Sequence, residues 1–276
     1  MSENGDPNEM AEDVNELLLS AAMDGSVEGV NAALEAGADI DFDQLDDWNP
    51  GDDTTLPPST ALLIACQKGH VDVVKLLLHK GASLVKRSMG ASAPLHAAAS
   101  NGWTEIVDLL VQHGATVDIQ DGFYDTPIIG ACRYKHVDTV RRLIELGARP
   151  DLTNGHVGQK WWREVENYDS VEESVKLLQE ARKTKLLRCC NPKCGKPGYR
   201  KTLKLCGRCK LTRYCSRDCQ IQHWSVGHKK CCGHDVYCYD EDDRFENMAL
   251  SMTDHVRKYG PESLLRSLAS LAAHSV

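Results

Sequence analysis

The chain has 276 residues, of which 42% are hydrophobic and 26% are charged, and its formal net charge is −8. This composition suits a soluble protein with one or two modest domains. The N-terminus is acidic and polar, so it does not fit a secretory signal, and no apolar run reaches the roughly 18 residues of a membrane span. We therefore expect a cytoplasmic or nuclear protein without a membrane partner, beginning with a disordered acidic segment at residues 1–13.

Charge and cysteine are unevenly distributed along the chain. Ten of the 12 cysteines lie between Cys189 and Cys238. The segment from Arg182 to Lys230 contains fifteen Lys and Arg residues and one acidic residue, Asp218. In a reducing compartment, such a cysteine cluster is more typical of a metal site than of a disulfide framework. The remaining two cysteines, Cys66 and Cys132, are expected to be small buried core residues.

A repeat of 33 residues occupies the first part of the chain. Gly81, Gly114 and Gly147 are each 33 residues apart, and each is followed by Ala. An earlier copy runs over residues 16–41, with an insertion of 11 residues expected within residues 43–58. Repetition at this period predicts stacked units, each of which buries its apolar face against its neighbours.

Each copy predicts a pair of helices. Thr60 and Thr126 are positioned to cap the first helix of their copies, and Pro127 follows at a position where a missing N–H has no cost. Small apolar residues follow, which allow neighbouring units to approach closely. The second helix carries an apolar stripe and ends at a Gly suited to a left-handed backbone.

The run Ala-Pro-Leu-His-Ala-Ala at residues 93–98 resembles the Thr-Pro-Leu-His-x-Ala signature of the ankyrin repeat. The resemblance covers about residues 14–155 and implies a mainly α solenoid of about four repeats. With a degenerate C-terminal cap at residues 156–187, the ankyrin region is expected to span residues 14–187. Three repeat histidines are then expected to bond to the backbone between repeats: His70, His96 and His136.

Short-spaced cysteine and histidine pairs lie between residues 189 and 232. Zinc prefers thiolate and imidazole ligands, and four of them close a tetrahedral structural site. Four pairs therefore predict two zinc ions. The pairs are Cys189 or Cys190 with Cys194, Cys206 with Cys209, Cys215 with Cys219, and His228 with Cys231 or Cys232. His223 is a competing candidate.

The pattern Cys-x-x-Cys, Arg-Tyr-Cys-Ser-x-x-Cys-Gln-x-x-x-Trp and His-x-x-x-Cys resembles the MYND zinc finger over residues 189–232. The resemblance implies that the two ligand sets interleave along the chain. One zinc would be bound by Cys189, Cys194, Cys215 and Cys219, and the other by Cys206, Cys209, His228 and Cys232.

Three features depart from the family pattern. The form Cys-x-Asn-Pro-x-Cys favours Cys189 over its neighbour Cys190, and a spacing of three residues from His228 favours Cys232 over Cys231. Gly227 is one residue more than the family has between Cys219 and its histidine ligand.

An acidic linker and a helical tail are expected over residues 233–276. The linker carries the acidic run at residues 240–243, and a stripe of leucines after Gly260 predicts the helix.

The functional prediction is a non-enzymatic adaptor that binds partner proteins. Eight protein ligands leave neither zinc an open position, and the repeats, finger and tail leave no room for a catalytic domain. The resemblance implies that Gln220 and Trp224, four apart on one helix face, contact a proline-rich peptide. The alternative is a transcription-related or nucleic-acid-associated regulator that uses the basic surface of the finger. The pattern of a DNA-reading finger is absent, so we expect protein partners instead of nucleic acid.

Overall fold

The computed structural model describes residues 7–43, 58–88, 91–122, 124–150, 152 and 173–234, with side chains from residue 14 onwards. Within them the architecture is mainly helical, as predicted. Eight helices form four consecutive pairs: α1 (Pro7–Asp24), α2 (Val27–Glu35), α3 (Ala61–Lys68), α4 (Val71–Lys80), α5 (Pro94–Ser100), α6 (Thr104–Gln112), α7 (Pro127–Arg133) and α8 (Val137–Glu145). A ninth helix, α9 (Glu173–Thr184), packs against α7 and α8.

The described residues cover only part of the segments predicted at the two ends of the chain and before α3. Helix α1 begins at Pro7, inside the segment 1–13 that was expected to be disordered. Residues 44–57, which make up most of the stretch 43–58 expected to hold the insertion before α3, lie outside the described residues. The same holds for residues 235–276, which contain the predicted linker and helical tail.

One continuous apolar core passes through all the helix pairs. Its largest fully buried side chains include Leu18, Leu62, Leu95 and Ile128 from the first helices of the four pairs. Small residues on the same helices, such as Ala65, let neighbouring pairs approach closely. Cys66 and Cys132 are fully buried within this core, and burial raises the pKa of the Cys66 thiol.

The repeat histidines bond to the backbone of neighbouring repeats, as predicted. His70 Nε2 lies 2.8 Å from Met23 O, and His136 Nε2 lies 3.0 Å from Ser100 O. His96 Nδ1 accepts a hydrogen bond from Ala93 N, which leaves Nε2 to donate to Asp125 O at 3.1 Å. Burial, assisted by the positive charge of Arg87, lowers the pKa of His96 to about 3 and keeps the ring neutral.

The two predicted threonine caps differ in the structure. Thr60 Oγ1 accepts a hydrogen bond from Leu63 N at 3.3 Å and caps α3. Thr126 occupies the same position before α7 but does not cap it, and its buried hydroxyl has no hydrogen-bond partner among the described residues. The expectation of a side-chain cap at Thr126 was therefore wrong, since sequence position alone does not determine the hydroxyl direction.

This difference predicts unequal effects of two identical substitutions. Thr60→Ala and Thr126→Ala remove the same atoms from buried positions, but only Thr60→Ala also removes a helix cap. We expect Thr60→Ala to lower the free energy of unfolding by about 1 kcal/mol more than Thr126→Ala does. Urea denaturation of the two variants measures this difference, and equal losses would contradict the assignment of the cap.

The C-terminal part of the described chain is a small finger built from two hairpins and a helical segment. Strand β1 (Leu186–Arg188) pairs antiparallel with β2 (Pro197–Tyr199), and β3 (Lys204–Leu205) pairs with β4 (Arg213–Tyr214). Helix α10 (Arg217–His223), a π-helical turn (Trp224–His228) and α11 (Lys229–Cys231) follow. The first hairpin begins at Leu186, three residues before the predicted start of the finger at Cys189. No helix of the described segments is long and apolar enough to cross a membrane.

Candidate metal centre

Four cysteines from the first hairpin, the end of β4 and helix α10 converge on one point. Cys189 follows β1, Cys194 lies in the turn before β2, Cys215 follows β4, and Cys219 lies in the first turn of α10. Their sulfur atoms all lie within 4.8 Å of one another. The Sγ–Sγ distance is 3.7 Å between Cys194 and Cys215 and 3.5 Å between Cys215 and Cys219.

A second group combines three cysteines with a histidine. Cys206 follows β3, Cys209 lies in the turn before β4, His228 ends the π-helical turn, and Cys232 follows α11. Their ligand atoms also lie within 4.8 Å of one another. Cys206 Sγ lies 3.7 Å from Cys232 Sγ, and Cys209 Sγ lies 3.7 Å from His228 Nε2.

These distances fit tetrahedral metal coordination. A zinc–sulfur bond of about 2.3 Å makes the edge of a tetrahedron about 3.8 Å long, close to the measured separations. A disulfide would require about 2.05 Å. Each group offers four thiolate or imidazole donors, which is the full complement of a closed structural zinc site. Both clusters therefore fit metal sites whose ligands all come from the protein.

The competing candidates lie outside both groups. Cys190 is buried, and its sulfur accepts a hydrogen bond from Arg213 N at 3.3 Å. Cys231 is also buried and belongs to neither group. His223 Nδ1 lies 3.0 Å from the Tyr214 hydroxyl, and its ring stacks on His228. The structure thus brings together the eight residues expected to bind the two zinc ions, in the same two sets of four. The alternative candidates, Cys190, Cys231 and His223, belong to neither set.

Individual thiols in these groups differ in pKa. Burial raises the pKa of Cys189 and of Cys232. Burial acts in the same direction on Cys219, but hydrogen bonds with Ser216 and neighbouring thiols outweigh it and lower the pKa to about 7. Since a metal binds the thiolate, binding at these sites must release protons, and acid must favour metal loss.

The finger lies against the turns that follow the second helices of the repeats. Arg87 donates a hydrogen bond to His234 O at 2.9 Å. Gly114 packs against Gly227, and a Cβ added at Gly147 would lie 3.4 Å from the Cys190 sulfur. One contact reaches the second cysteine and histidine group, since Thr116 Oγ1 lies 3.4 Å from His228 Nδ1. Thr116 was missed in the sequence analysis because nothing in a repeat sequence signals a contact with a distant histidine.

Comparison with known protein families agrees with this architecture. A family model described as ankyrin repeats (3 copies) matches residues 1–88 and 84–154, more than half of the chain. The chain belongs to the ankyrin-repeat family. A second family model, the MYND finger, matches residues 189–232 of this ankyrin-repeat protein. Both are protein-interaction modules, and the MYND finger is a zinc-binding one.

A curated relative matches a much shorter segment. Ubiquitin carboxyl-terminal hydrolase 16 of Arabidopsis thaliana is 48% identical over 42 residues, which are 15% of the ankyrin-repeat protein and 4% of that relative. The chain therefore spans only a small fraction of this relative, about the size of a finger. The hydrolase activity in its name is not assigned to the ankyrin-repeat protein.

The two residues expected to contact a peptide, Gln220 and Trp224, are both half-buried in the ankyrin-repeat protein. Trp224 packs against the cysteine-rich core of the finger, and its ring meets that of His228 edge-on at a centroid distance of 5.9 Å. Two neighbouring apolar side chains are exposed, Ile221 at 56% and Val226 at 38%. The surface around Trp224 therefore combines a supported aromatic ring with exposed apolar side chains.

Proposed function

We propose that this ankyrin-repeat protein is a non-enzymatic adaptor whose ankyrin stack and zinc-stabilised finger each bind a partner protein. The observation that carries the proposal is the pair of closed ligand groups. A zinc ion with four protein ligands has no coordination position for a reactive water or a substrate, so its role is structural. Function then resides in the surfaces that the ions and the repeats hold in place.

Zinc is the proposed ion at both sites, with the eight grouped side chains as its ligands. Three thiolates with one imidazole, and four thiolates, are both donor sets of structural zinc. Zinc supplies folding energy here and no reaction step. The adjacent basic residues offset the negative charge of the thiolates.

A proline-rich peptide is the proposed ligand of the finger, at Gln220 and Trp224. The Trp224 ring packs against His228 and the core of the finger, so its side chain loses little conformational freedom when a ligand binds. An extended proline-rich segment is itself preorganised and suits a rigid aromatic surface. Gln220 adds a polar side chain that can bond to a peptide carbonyl.

Replacement of Trp224 tests the proposed peptide contact. We expect Trp224→Ala to weaken binding of a Pro-x-Leu-x-Pro peptide by at least about tenfold, since aromatic anchors dominate such interfaces. Trp224→Phe keeps an aromatic ring and should retain most of the affinity. Peptide titration of the full-length protein, together with affinity capture read by mass spectrometry, measures both variants.

The metal content provides the control for this experiment. Both Trp224 variants should contain as much zinc as the wild type, so that a loss of binding is not a loss of fold. If Trp224→Ala retains full zinc and the same captured partners as the wild type, the peptide contact is wrong.

The charge of the finger favours a second candidate, a nucleic-acid-associated regulator. Several basic side chains on the finger are exposed, among them Lys193, Lys201 and Lys230. Such a surface attracts phosphate, and its binding to an oligonucleotide would weaken steeply with salt. A salt titration with a DNA or RNA oligonucleotide distinguishes this role from the adaptor role, which requires no such binding.

A further inference from the structure

Gly227 of the finger lies at a contact with the ankyrin stack. Gly227 lies in the turn Trp224–His228, where its backbone is not helical, with φ of 172° and ψ of −19°, and the chain is kinked. Gly227 packs against the turn that follows α6, at His113 and Gly114. Gly227 thus lies at an intramolecular interface.

Both partners in this contact need to lack a side chain. A Cβ at Gly227 would overlap the backbone oxygen of His113 and lie 3.2 Å from the Cα of Gly114. A Cβ at Gly114 would lie 2.6 Å from the backbone nitrogen of His228. Because the obstructing atoms belong to the backbone, no rotamer change can relieve either clash. The two glycines allow the finger to approach the stack more closely than other residues would.

This close contact places Thr116 of the ankyrin stack next to His228 of the second metal group. Thr116 Oγ1 lies 3.4 Å from His228 Nδ1, and both side chains are fully buried. The other ring nitrogen, Nε2, is the one that lies 3.7 Å from Cys209 Sγ. A nitrogen that binds a metal carries no proton, so the neutral imidazole has its proton on Nδ1. Nδ1 then donates to the Thr116 hydroxyl.

We propose that the ankyrin stack completes the second metal site of the finger, with Thr116 orienting His228 towards its metal ion. The inference rests on the proposed zinc binding. A hydrogen-bond acceptor on the far nitrogen of a histidine ligand sets its tautomer and its ring orientation. Since both groups are buried, water cannot take the place of Thr116.

The proposal makes the two metal sites unequal. The described hydrogen bonds of the first group, at Cys189, Cys194, Cys215 and Cys219, are formed within the finger. Zinc at the second site is linked to docking on the stack, and by reciprocity each strengthens the other by the same factor. The finger is then a fixed part of the ankyrin unit and not an independent module on a tether.

Three threonine variants of the full-length protein test the role of Thr116. Thr116→Val removes the hydroxyl, and Thr116→Ser retains it. Thr139→Val is the matched control, because Thr139 is as deeply buried but its hydroxyl bonds to Thr104 inside the stack. Zinc affinity is measured by competition with a chelator. Cobalt(II) substitution assigns the affected site, since its absorption spectrum differs between four sulfur donors and three sulfurs with one nitrogen.

We expect Thr116→Val to weaken zinc binding by about tenfold or more at the site with a nitrogen donor, and to leave the all-sulfur site unchanged. Thr116→Ser should restore the affinity, and Thr139→Val should behave as the wild type. Equal zinc affinity in Thr116→Val and the wild type would overturn the inference while leaving the zinc-stabilised adaptor intact. An equal loss in Thr139→Val would also overturn it, because general loosening of the stack would then explain the effect.

Two further measurements, the zinc content and the nitrogen NMR spectrum of the wild-type protein, also test the inference. A wild-type protein that binds no zinc would overturn both this inference and the proposed function. If Thr116→Val does not fold, nitrogen NMR of the zinc-loaded wild type gives the answer. A His228 Nδ1–H that is protected from exchange supports the inference, and a His228 bound to zinc through Nδ1 overturns it.

Discussion

Removal of zinc is expected to unfold the finger, residues 186–234, while the ankyrin helices stay folded. The main buried cluster of the finger consists of Tyr214 and four cysteines, Cys189, Cys190, Cys206 and Cys232. All of these cysteines except Cys190 are proposed ligands. Metal ions bound at the two groups would therefore replace the apolar core that so small a unit cannot build. Structural zinc contributes about 10–16 kcal/mol in small fingers, so its loss should destabilise the finger more than any single substitution does. The repeats have their own continuous apolar core.

Amide hydrogen exchange before and after chelation measures this effect. The finger amides should lose their protection when zinc is removed, whereas the amides of α3 to α7 should retain most of theirs. Retention of protection in the zinc-free finger would contradict a structural role for the metal.

Adjacent cysteines provide a matched control for the ligand assignment. Cys232→Ala removes a residue of the second group and should reduce the zinc content from about two ions to about one per chain. Cys231→Ala removes its equally buried neighbour and should leave both ions bound. Elemental analysis of the purified variants compares them. A loss of zinc in Cys231→Ala but not in Cys232→Ala would reverse the assignment.

Gly227→Ala is expected to separate the finger from the ankyrin stack. The added methyl group would occupy the position of the His113 backbone oxygen, so one backbone segment has to move. Overpacking of this kind costs about 1–3 kcal/mol or more. Because Gly227 precedes His228, the displacement should also weaken zinc binding at the second site. Hydrogen exchange should increase both at the π-helical turn and at the turn after α6.

Gly207→Ala is the control for this substitution. Gly207 lies next to Cys206 of the same metal group, but a Cβ there meets no atom within 4 Å. We expect this variant to match the wild type in thermal unfolding and in zinc affinity. If Gly227→Ala behaves like Gly207→Ala, the close backbone contact is not a feature of the folded protein.

The docked finger has a consequence for the proposed adaptor. The row of turns that contacts the finger includes Arg87, Gly114 and Gly147, one from each of three successive repeats. A finger held at several repeats keeps its surface around Trp224 in a constant position relative to the helices of the stack. Partners bound to the two regions would then be held at a set distance instead of being loosely tethered.

Local patterns in the sequence determined the repeat architecture and the candidate ligands. The spacing of Gly81, Gly114 and Gly147 predicted the helix pairs, and all three have a left-handed backbone, with φ of 96°, 103° and 101°. Helix ends, apolar stripes and paired cysteines depend on residues that are near one another in the chain. Such features can be predicted from periodicity and spacing alone.

Only the tertiary structure decided how distant residues meet. The side chains of Cys189 and Cys232 belong to the two ligand groups, whereas those of their neighbours Cys190 and Cys231 do not. The side chain of His223 lies next to the Tyr214 hydroxyl instead. Thr116 and His228 are 112 residues apart, so no local pattern relates them. Gly227 looked like an extra residue in the sequence, and its packing against Gly114 emerged only once the chain was folded. The physical reason is that contacts of this kind depend on the three-dimensional approach of two backbones, which is determined by the packing of the whole unit.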